Sequence, residues 1–476
     1  MMMRTSWVTM VWITFLGIVS GLPQAWGQLP RLPNVEPHPL PSLMQGPAIP
    51  TGYDDLLTIP HGVPDTWLDV DHVMPAEYTW AEGQDEQDKQ SEDARTSGPI
   101  QLKPYGAFWS DMVYGTSRTN PGAYTRWVYS DQQHGEPFFV IDARRSRLGL
   151  DVIGPELAGA ASGGRVEIDF HGEFVNENRA SVLLRHAYWE WKNESFRILV
   201  GQTWDVISPM LPQSLNYASG FNAGNIGFRR AQVRAERFIW FTDDQRLLLQ
   251  GSLNQDVVTD FATEALVFRE AVDAPVVEGR LGWEWGDTNE PNRQLRIGIS
   301  GHLGATGFDF LANGPPPFNL PPEDDARYRT WSCNLDLHVP IGDRFGLAGE
   351  LFTGSNLSSY LGGIGQGVCA CNRRAIRASG MWGEVWWDCR EDLQTRIGYG
   401  LDDPKNEDFL IGRTYNQYIY YQLLWTVSNQ ISTGIEISYW QTFYQDRRGG
   451  LILDEDLLPT QPGKAITVDW MFKYAF

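Results

Sequence analysis

Two short runs hold the densest positive charge in the chain, Arg144-Arg145-Ser146-Arg147 and Arg229-Arg230-Ala231-Gln232-Val233-Arg234. In an extended strand, residues two apart share a face. Arg145 with Arg147, and Arg230 with Gln232 and Arg234, then form rows of hydrogen-bond donors. Guanidinium rows of this kind bind carboxylates and phosphates through paired, charge-assisted bonds. The same alternation sets Glu167 and Asp169 opposite Val166, Ile168 and Phe170, and puts Arg280 and Arg296 on a polar face. Asp336, Glu350, Glu384, Asp388, Glu436 and Asp469 join that face by the same rule. Opposed arginine and carboxylate walls create a transverse field in which polar solutes keep part of their hydration energy. The plainer role, and the expected one for most of these charges, is cross-strand pairing that holds the sheet open.

Other chemistry has little support. No Gly-x-Ser-x-Gly elbow and no His-Glu-x-x-His pair occurs, and the run Gly362-Gly363-Ile364-Gly365-Gln366-Gly367 lacks the Lys-Ser or Lys-Thr of a phosphate loop. His171 and His186 on neighbouring strands are the nearest thing to a catalytic pair, and structural cross-strand roles are the expectation for both. A bridge between Cys369 and Cys371, separated by one alanine, would be strained, and a partner in another subunit is the alternative. Cys333 and Cys389 read as free, buried thiols on the apolar face. No metal and no cofactor is expected, and an acidic chain of formal charge −21 is a poor partner for nucleic acid.

The elements that would position these charges are β-strands. From Pro104 to Phe476 sixteen candidate strands alternate apolar and polar residues, as in Val277, Leu281, Trp283 and Trp285 against Glu278, Arg280 and Glu284. The last runs from Lys464 to Phe476, with Ile466, Val468, Trp470, Phe472, Tyr474 and Phe476 on one face. Short connections such as Asn193-Glu194-Ser195, Thr242-Asp243-Asp244 and Glu391-Asp392 recur at every second position, with long ones between them. Ile153 to Gly163 is longer than this rhythm allows, and Val175 to Ser181 is shorter. An even strand count, two-faced strands and loops of alternating length predict an all-β, transmembrane antiparallel barrel. The repeat of about 40 to 50 residues that marks a propeller is missing, and no later segment offers the roughly 18 apolar residues of a membrane helix.

Ahead of the barrel, Arg4 precedes the apolar run Val8 to Leu22, and Ala25-Trp26-Gly27 puts small residues at both positions a signal peptidase inspects, which reads as a cleaved secretory signal over 1–27. Its removal takes one positive charge, leaving −22. Residues 28–103 hold the proline-rich, acidic periplasmic segment; eleven prolines from Gln28 to Pro99 argue for an extended or disordered linker, with a tether or a plug threaded into the lumen as the functional alternatives. The barrel domain is 104–476.

The segments Asp142-Ala143-Arg144-Arg145-Ser146-Arg147-Leu148-Gly149, Leu184-Arg185-His186-Ala187-Tyr188, Val200-Gly201-Gln202-Thr203-Trp204 and Gly227-Phe228-Arg229-Arg230-Ala231-Gln232-Val233-Arg234 resemble successive strands of DcaP-like porins, and more distantly the phosphate-selective porins. The resemblance covers roughly Tyr105 to Glu236. It implies a sixteen-stranded barrel in outer-membrane lipid, commonly a homotrimer, passing small polar or anionic solutes. It also implies an inward fold of the segment near 205–225, whose single charge is Asp205, next to Arg145, Arg147, Arg230 and Arg234. The proline-rich tail departs from the helical extension of that family, and the many carboxylates depart from a purely basic lumen. A non-conducting barrel with a tethering or interaction role, and a secreted carbohydrate-binding β protein, stand as the alternatives.

Overall fold

The computed structural model describes residues 100–133, 135–172, 179–257, 267–270, 272–287, 293–448 and 457–476. The signal segment 1–27 and nearly all of 28–103 lie outside the described residues, as do parts of four long connections.

In chain order the strands are β1 (Gln101–Gly115), β2 (Phe138–Asp142 and Arg147–Leu157), β3 (Ala160–Asp169), β4 (Leu183–Lys192), β5 (Phe196–Trp204), β6 (Arg229–Thr242), β7 (Gln245–Asn254) and β8 (Val267–Glu270 and Val276–Trp285). Then follow β9 (Leu295–Phe310), β10 (Glu323–Ile341), β11 (Phe345–Ser355), β12 (Arg377–Arg390), β13 (Leu393–Pro404), β14 (Ile411–Thr426), β15 (Ile431–Asp446) and β16 (Gly463–Ala475). The two segments of β2 both pair with β1, and both segments of β8 pair with β9, so the 18 segments of the sheet make sixteen staves. Every neighbour is antiparallel, and β16 returns to β1 from Ala107↔Ala475 to Gly115↔Thr467. Closure removes both sheet edges, which hydrocarbon does not tolerate.

Phe476 fastens that seam. Its backbone exchanges two hydrogen bonds with Gly106, each 3.0 Å, and its ring lies 5.2 Å from that of Phe108. A Cβ on Gly106 would come within 2.7 Å of the Phe476 ring, so the close approach requires glycine.

The layout of polarity inverts that of a water-soluble protein. On β6, Arg230, Gln232, Arg234 and Glu236 are buried while Ala231, Val233 and Ala235 are exposed. The same pattern exposes Leu249, Val277, Leu281, Ile297, Ile299 and Leu303 to the outside. So much apolar surface facing out around a charged interior is stable in lipid and would aggregate in water. The alternative of a secreted soluble protein is thereby removed. Leu281→Arg, in the middle of this belt, should cost about 2–4 kcal/mol of folding stability. Urea titration of the barrel in lipid vesicles checks it; an unchanged midpoint would mean that Leu281 does not face hydrocarbon.

Tryptophans at the short-turn end clasp the turns of neighbouring hairpins. Trp191 Nε1 donates to Leu157 O at 2.8 Å, Trp240 to Glu194 O at 2.8 Å, Trp285 to Asp244 Oδ2 at 2.9 Å and Trp425 to Asp392 Oδ2 at 3.2 Å. Hydrogen bonds from Thr242 and Trp285 hold the Asp244 carboxyl below the usual carboxylate range. A ring on the lipid side with its N–H tied to a polar turn suits a membrane interface.

Two irregular connections resolve in the fold. β2 and β3 run on to Leu157 and from Ala160, so the turn is Ala158-Gly159 and the expected long loop at 153–163 is strand. β3 stops at Asp169 and β4 starts at Leu183, which makes the connection at 170–182 long after all. In β2 the ladder breaks at 143–146, where Ser146 Oγ accepts the Trp109 N–H at 2.9 Å in place of a strand partner. That break turns Arg144 inward beside Arg145 and Arg147, and all three are buried. Cys369 and Cys371 are joined to each other. They lie in a loop that doubles back as the ribbon Val368–Cys369 with Arg374–Ala375, which sets the two Cα atoms 5.3 Å apart, within disulfide reach. Cys333 and Cys389 are free, but Cys333 is exposed on the outer face rather than buried.

Candidate functional site

The segment 205–228 leaves β5, enters the barrel and returns to β6. Asp205 closes its neck: its N–H donates to Phe228 O at 2.7 Å, and its Oδ2 accepts from Phe228 N at 2.8 Å while pairing with the Arg230 guanidinium. Between these ends, Pro209 and Pro212 keep the chain extended and remove two donors that would otherwise need partners. Four of the remaining amides find carboxylates on the wall. Val206 N donates to Glu278 at 3.0 Å, Met210 N to Glu350 at 2.8 Å, Gln213 N to Glu384 at 2.9 Å and Leu215 N to Glu436 at 2.6 Å. The segment thus touches β8, β11, β12 and β15 in turn. Arg145 Nη1 then donates to Leu215 O at 2.9 Å from β2. On the way back Gly224 crosses β12 so closely that a Cβ would lie 2.0 Å from Met381 O, and its φ of 119° is open to glycine.

Two further connections fold in and lock this one. Thr125 exchanges bonds with Asn216 at 3.0 and 2.7 Å, and Arg126 Nε donates to Asn222 Oδ1 at 2.8 Å. From the connection between β11 and β12, Leu361 O accepts from Asn222 N and Tyr360 O from Gly227 N. Tyr360 is the pin. Its ring lies between Arg230, 3.7 Å away, and His302, 3.9 Å away, and its hydroxyl donates to Glu278 at 3.0 Å. Burial pushes the phenols of Tyr360 and Tyr217 well above their usual range, so both remain neutral donors. Leu357, Tyr360, Ala218, Phe221, Ala223 and Ile226 are almost wholly buried, which gives a β-barrel lumen a small apolar core of loop residues.

The sequence-selected residues fall into three groups. Arg145, Arg230, Gln232, Arg234 and Asp205 meet at the inward segment. Gln232 Nε2 donates to Thr203 O and Trp204 O, both at 3.0 Å, and Arg234 bonds Gln232 Oε1 at 2.9 Å and Glu236 at 3.3 Å. Glu167 and Asp169 sit on the neighbouring wall, gripped by Arg185 at 2.5 and 3.1 Å. Arg280 pairs with Asp336 at 2.6 Å lower on the wall, and Arg296 lies near the short-turn end of β9. Arg147 is the most accessible of the lumen arginines near the segment, and it is 8% exposed, so the space at that level is narrow. Beside Arg145 and Arg147 lies Lys473 of β16, half-buried, its ammonium 4.6 Å from the Trp109 ring. Among the described residues no carboxylate pairs with it.

Sequence reading left Lys473 among the polar positions of the last strand without weighing it. Tyr360 and Glu278 were missed as anchors. One signal was present for the loops: a long connection between charged strands that itself carries almost no charge, as in 205–225 and 356–367, is suited to burial. His171 stacks on Tyr217 at 3.8 Å and His186 bonds Thr203 at 3.0 Å, so the two imidazoles are engaged separately.

A closed antiparallel barrel with an apolar belt, interfacial tryptophans and a charged, loop-filled interior defines a transmembrane β-barrel protein. No known sequence family and no curated protein sequence matches the chain. Solved structures do. The chain is similar to the outer membrane channel DcaP of Acinetobacter baumannii, with a TM-score of 0.62 at 16% identity over 80% of this chain and 99% of that one. It is also similar to an anion-selective porin from Comamonas acidovorans, with a TM-score of 0.52 at 12% identity over 79% of this chain and all of that one. At such identities the likeness is one of fold.

Proposed function

We propose that this protein is an outer-membrane channel for small hydrophilic solutes, that the segment 205–228 is its constriction, and that the channel favours anions. The observation that carries the reading is how the wall carboxylates are used. Glu278, Glu350, Glu384 and Glu436 accept backbone N–H groups of the inward segment, so their charge is met by amide dipoles. Lys473, by contrast, is half-buried beside Arg147 on the side of the lumen where β16 meets β1, and no carboxylate pairs with it among the described residues. A solute at that level meets cations, although the chain as a whole is acidic. The anion-selective neighbour in fold supports the same choice. In this reading the short turns and the N-terminal segment face the periplasm and the long connections face outward. Passage of the solute through the filled level requires a small solute or displacement of the segment.

Reconstitution in a planar bilayer tests the channel; a folded barrel giving no stepwise current would leave the structural or tethering role. For selectivity, Arg147→Gln with Lys473→Gln should lower the anion-to-cation permeability ratio about threefold, the scale of removing two partly screened charges. A reversal potential under a salt gradient that does not move would place the selective group elsewhere.

A further inference from the structure

Most interior guanidiniums have a carboxylate at hand: Arg144 has Asp142, Arg185 has Glu167 and Asp169, Arg230 has Asp205 and Arg280 has Asp336. Arg229 does not. It opens β6 opposite Trp204 of β5, beside the neck of the inward segment, and is 2% exposed. Among the described residues, its Nε, Nη1 and Nη2 have no hydrogen-bond partner. Its guanidinium rests against aromatic faces, 4.9 Å from the Trp204 ring and 5.6 Å from that of Phe228. The nearest acids, Asp169 and Glu167, are already committed. Arg185 grips both, and Asp169 also accepts from His171 N at 3.1 Å and from Tyr217 Oη at 3.4 Å. His171 Nδ1, close by, is likewise without a partner among the described residues. Burial, with Arg144, Arg145 and Arg147 nearby, holds that imidazole neutral.

A buried guanidinium with none of its donors met is strongly unfavourable, far more so than one that meets an anion in a forked pair of bonds. The Trp204 and Phe228 rings pack against the guanidinium but offer no acceptor to its N–H groups. We propose that Arg229 holds a small, planar, monovalent oxyanion of the formate or bicarbonate type at the root of the 205–228 segment. Arg229 and Arg230 then fasten the neck in two ways, Arg230 through Asp205 of the chain and Arg229 through an anion taken from solution. The closed state of the segment becomes anion-dependent. This does not depend on whether the barrel conducts.

The test is the thermal unfolding midpoint of the full chain in detergent, titrated with sodium formate against sodium gluconate at equal ionic strength; gluconate has the charge and is too bulky to enter. The wild-type midpoint should rise saturably by several degrees with formate and less with gluconate, as for any ligand bound by the folded state alone. In Arg229→Gln the formate-specific rise should vanish. Equal responses to the two salts in the wild type, or a formate response retained in Arg229→Gln, overturns the proposal. If Arg229→Gln does not fold, wild-type crystals soaked in bromide decide. An anomalous peak within hydrogen-bond distance of the Arg229 guanidinium supports the site, and ordered water alone there overturns it.

Discussion

Replacing residues 208–225 with a short Gly-Ser linker should raise single-channel conductance several-fold and weaken discrimination between ions. The segment occupies the lumen from β8 to β15 and back to β2, and with it go Pro209, Met210, Pro212, Leu215, Tyr217 and Phe221, which fill the space there. Its removal also frees the carboxylates of Glu350, Glu384 and Glu436 from the amides that now face them. Anion preference should therefore drop along with the barrier, because uncompensated wall carboxylates repel anions and attract cations. The stave pairing does not involve the segment, so the variant should still show a folded barrel by heat-modifiable mobility. Unaltered conductance in such a barrel would mean that the rate-limiting level lies elsewhere.

The second large effect is on stability. Asp205→Ala should destabilise the protein by about 3–5 kcal/mol, the usual cost of leaving one member of a buried ion pair alone. The side chains of Asp205 and Arg230 are 1% and 0% exposed, so water cannot replace the lost partner without opening the neck. The substitution also strips the Phe228 N–H of its acceptor. If the cost is mainly the stranded guanidinium, then Asp205→Ala with Arg230→Met should be less damaging than Asp205→Ala alone, despite the extra change. Urea midpoints of the two single variants and the double variant in the same detergent settle the cycle. Strict additivity would show that Asp205 acts through Phe228 and not through Arg230.

Strand periodicity made most of the fold legible. Val166, Ile168 and Phe170 against Glu167 and Asp169 told which side of β3 faces lipid, and the long run ending at Phe476 told where the sheet closes. Alternation failed at Arg144-Arg145-Ser146-Arg147. There the ladder breaks, and three arginines enter the lumen where two were expected. The terms that decide such a break are side-chain contacts, Ser146 Oγ standing in for a backbone partner of the neighbouring strand and Asp142 holding Arg144 two residues on, and neither leaves a periodic trace.

The site was legible to a lesser degree. Arg145, Arg230, Arg234 and Asp205 were selected from charge density and from the loop they flank; Arg230 pairs with Asp205 at its neck, Arg234 bonds Trp204 O just before it, and Arg145 bonds Leu215 O further along. Their use differs from a simple basic ring: Arg230 is spent on Asp205 and Tyr360, and Arg234 on Gln232 and Glu236. Glu350, Glu384 and Glu436 were placed on the correct face, yet their partners are loop amides and not neighbouring arginines alone.

What the sequence determined by itself was the class of solvent on each side of the sheet, the number of staves and the seam, because these follow from a period of two repeated along one chain. What tertiary structure decided was which charges remain available in the lumen. Ser214 and Glu436 lie 222 residues apart and meet at 2.7 Å. Such a contact depends on barrel closure and on three connections folding in together, so no local pattern encodes it; the balance of charge inside the barrel exists only once those distant pairs have formed.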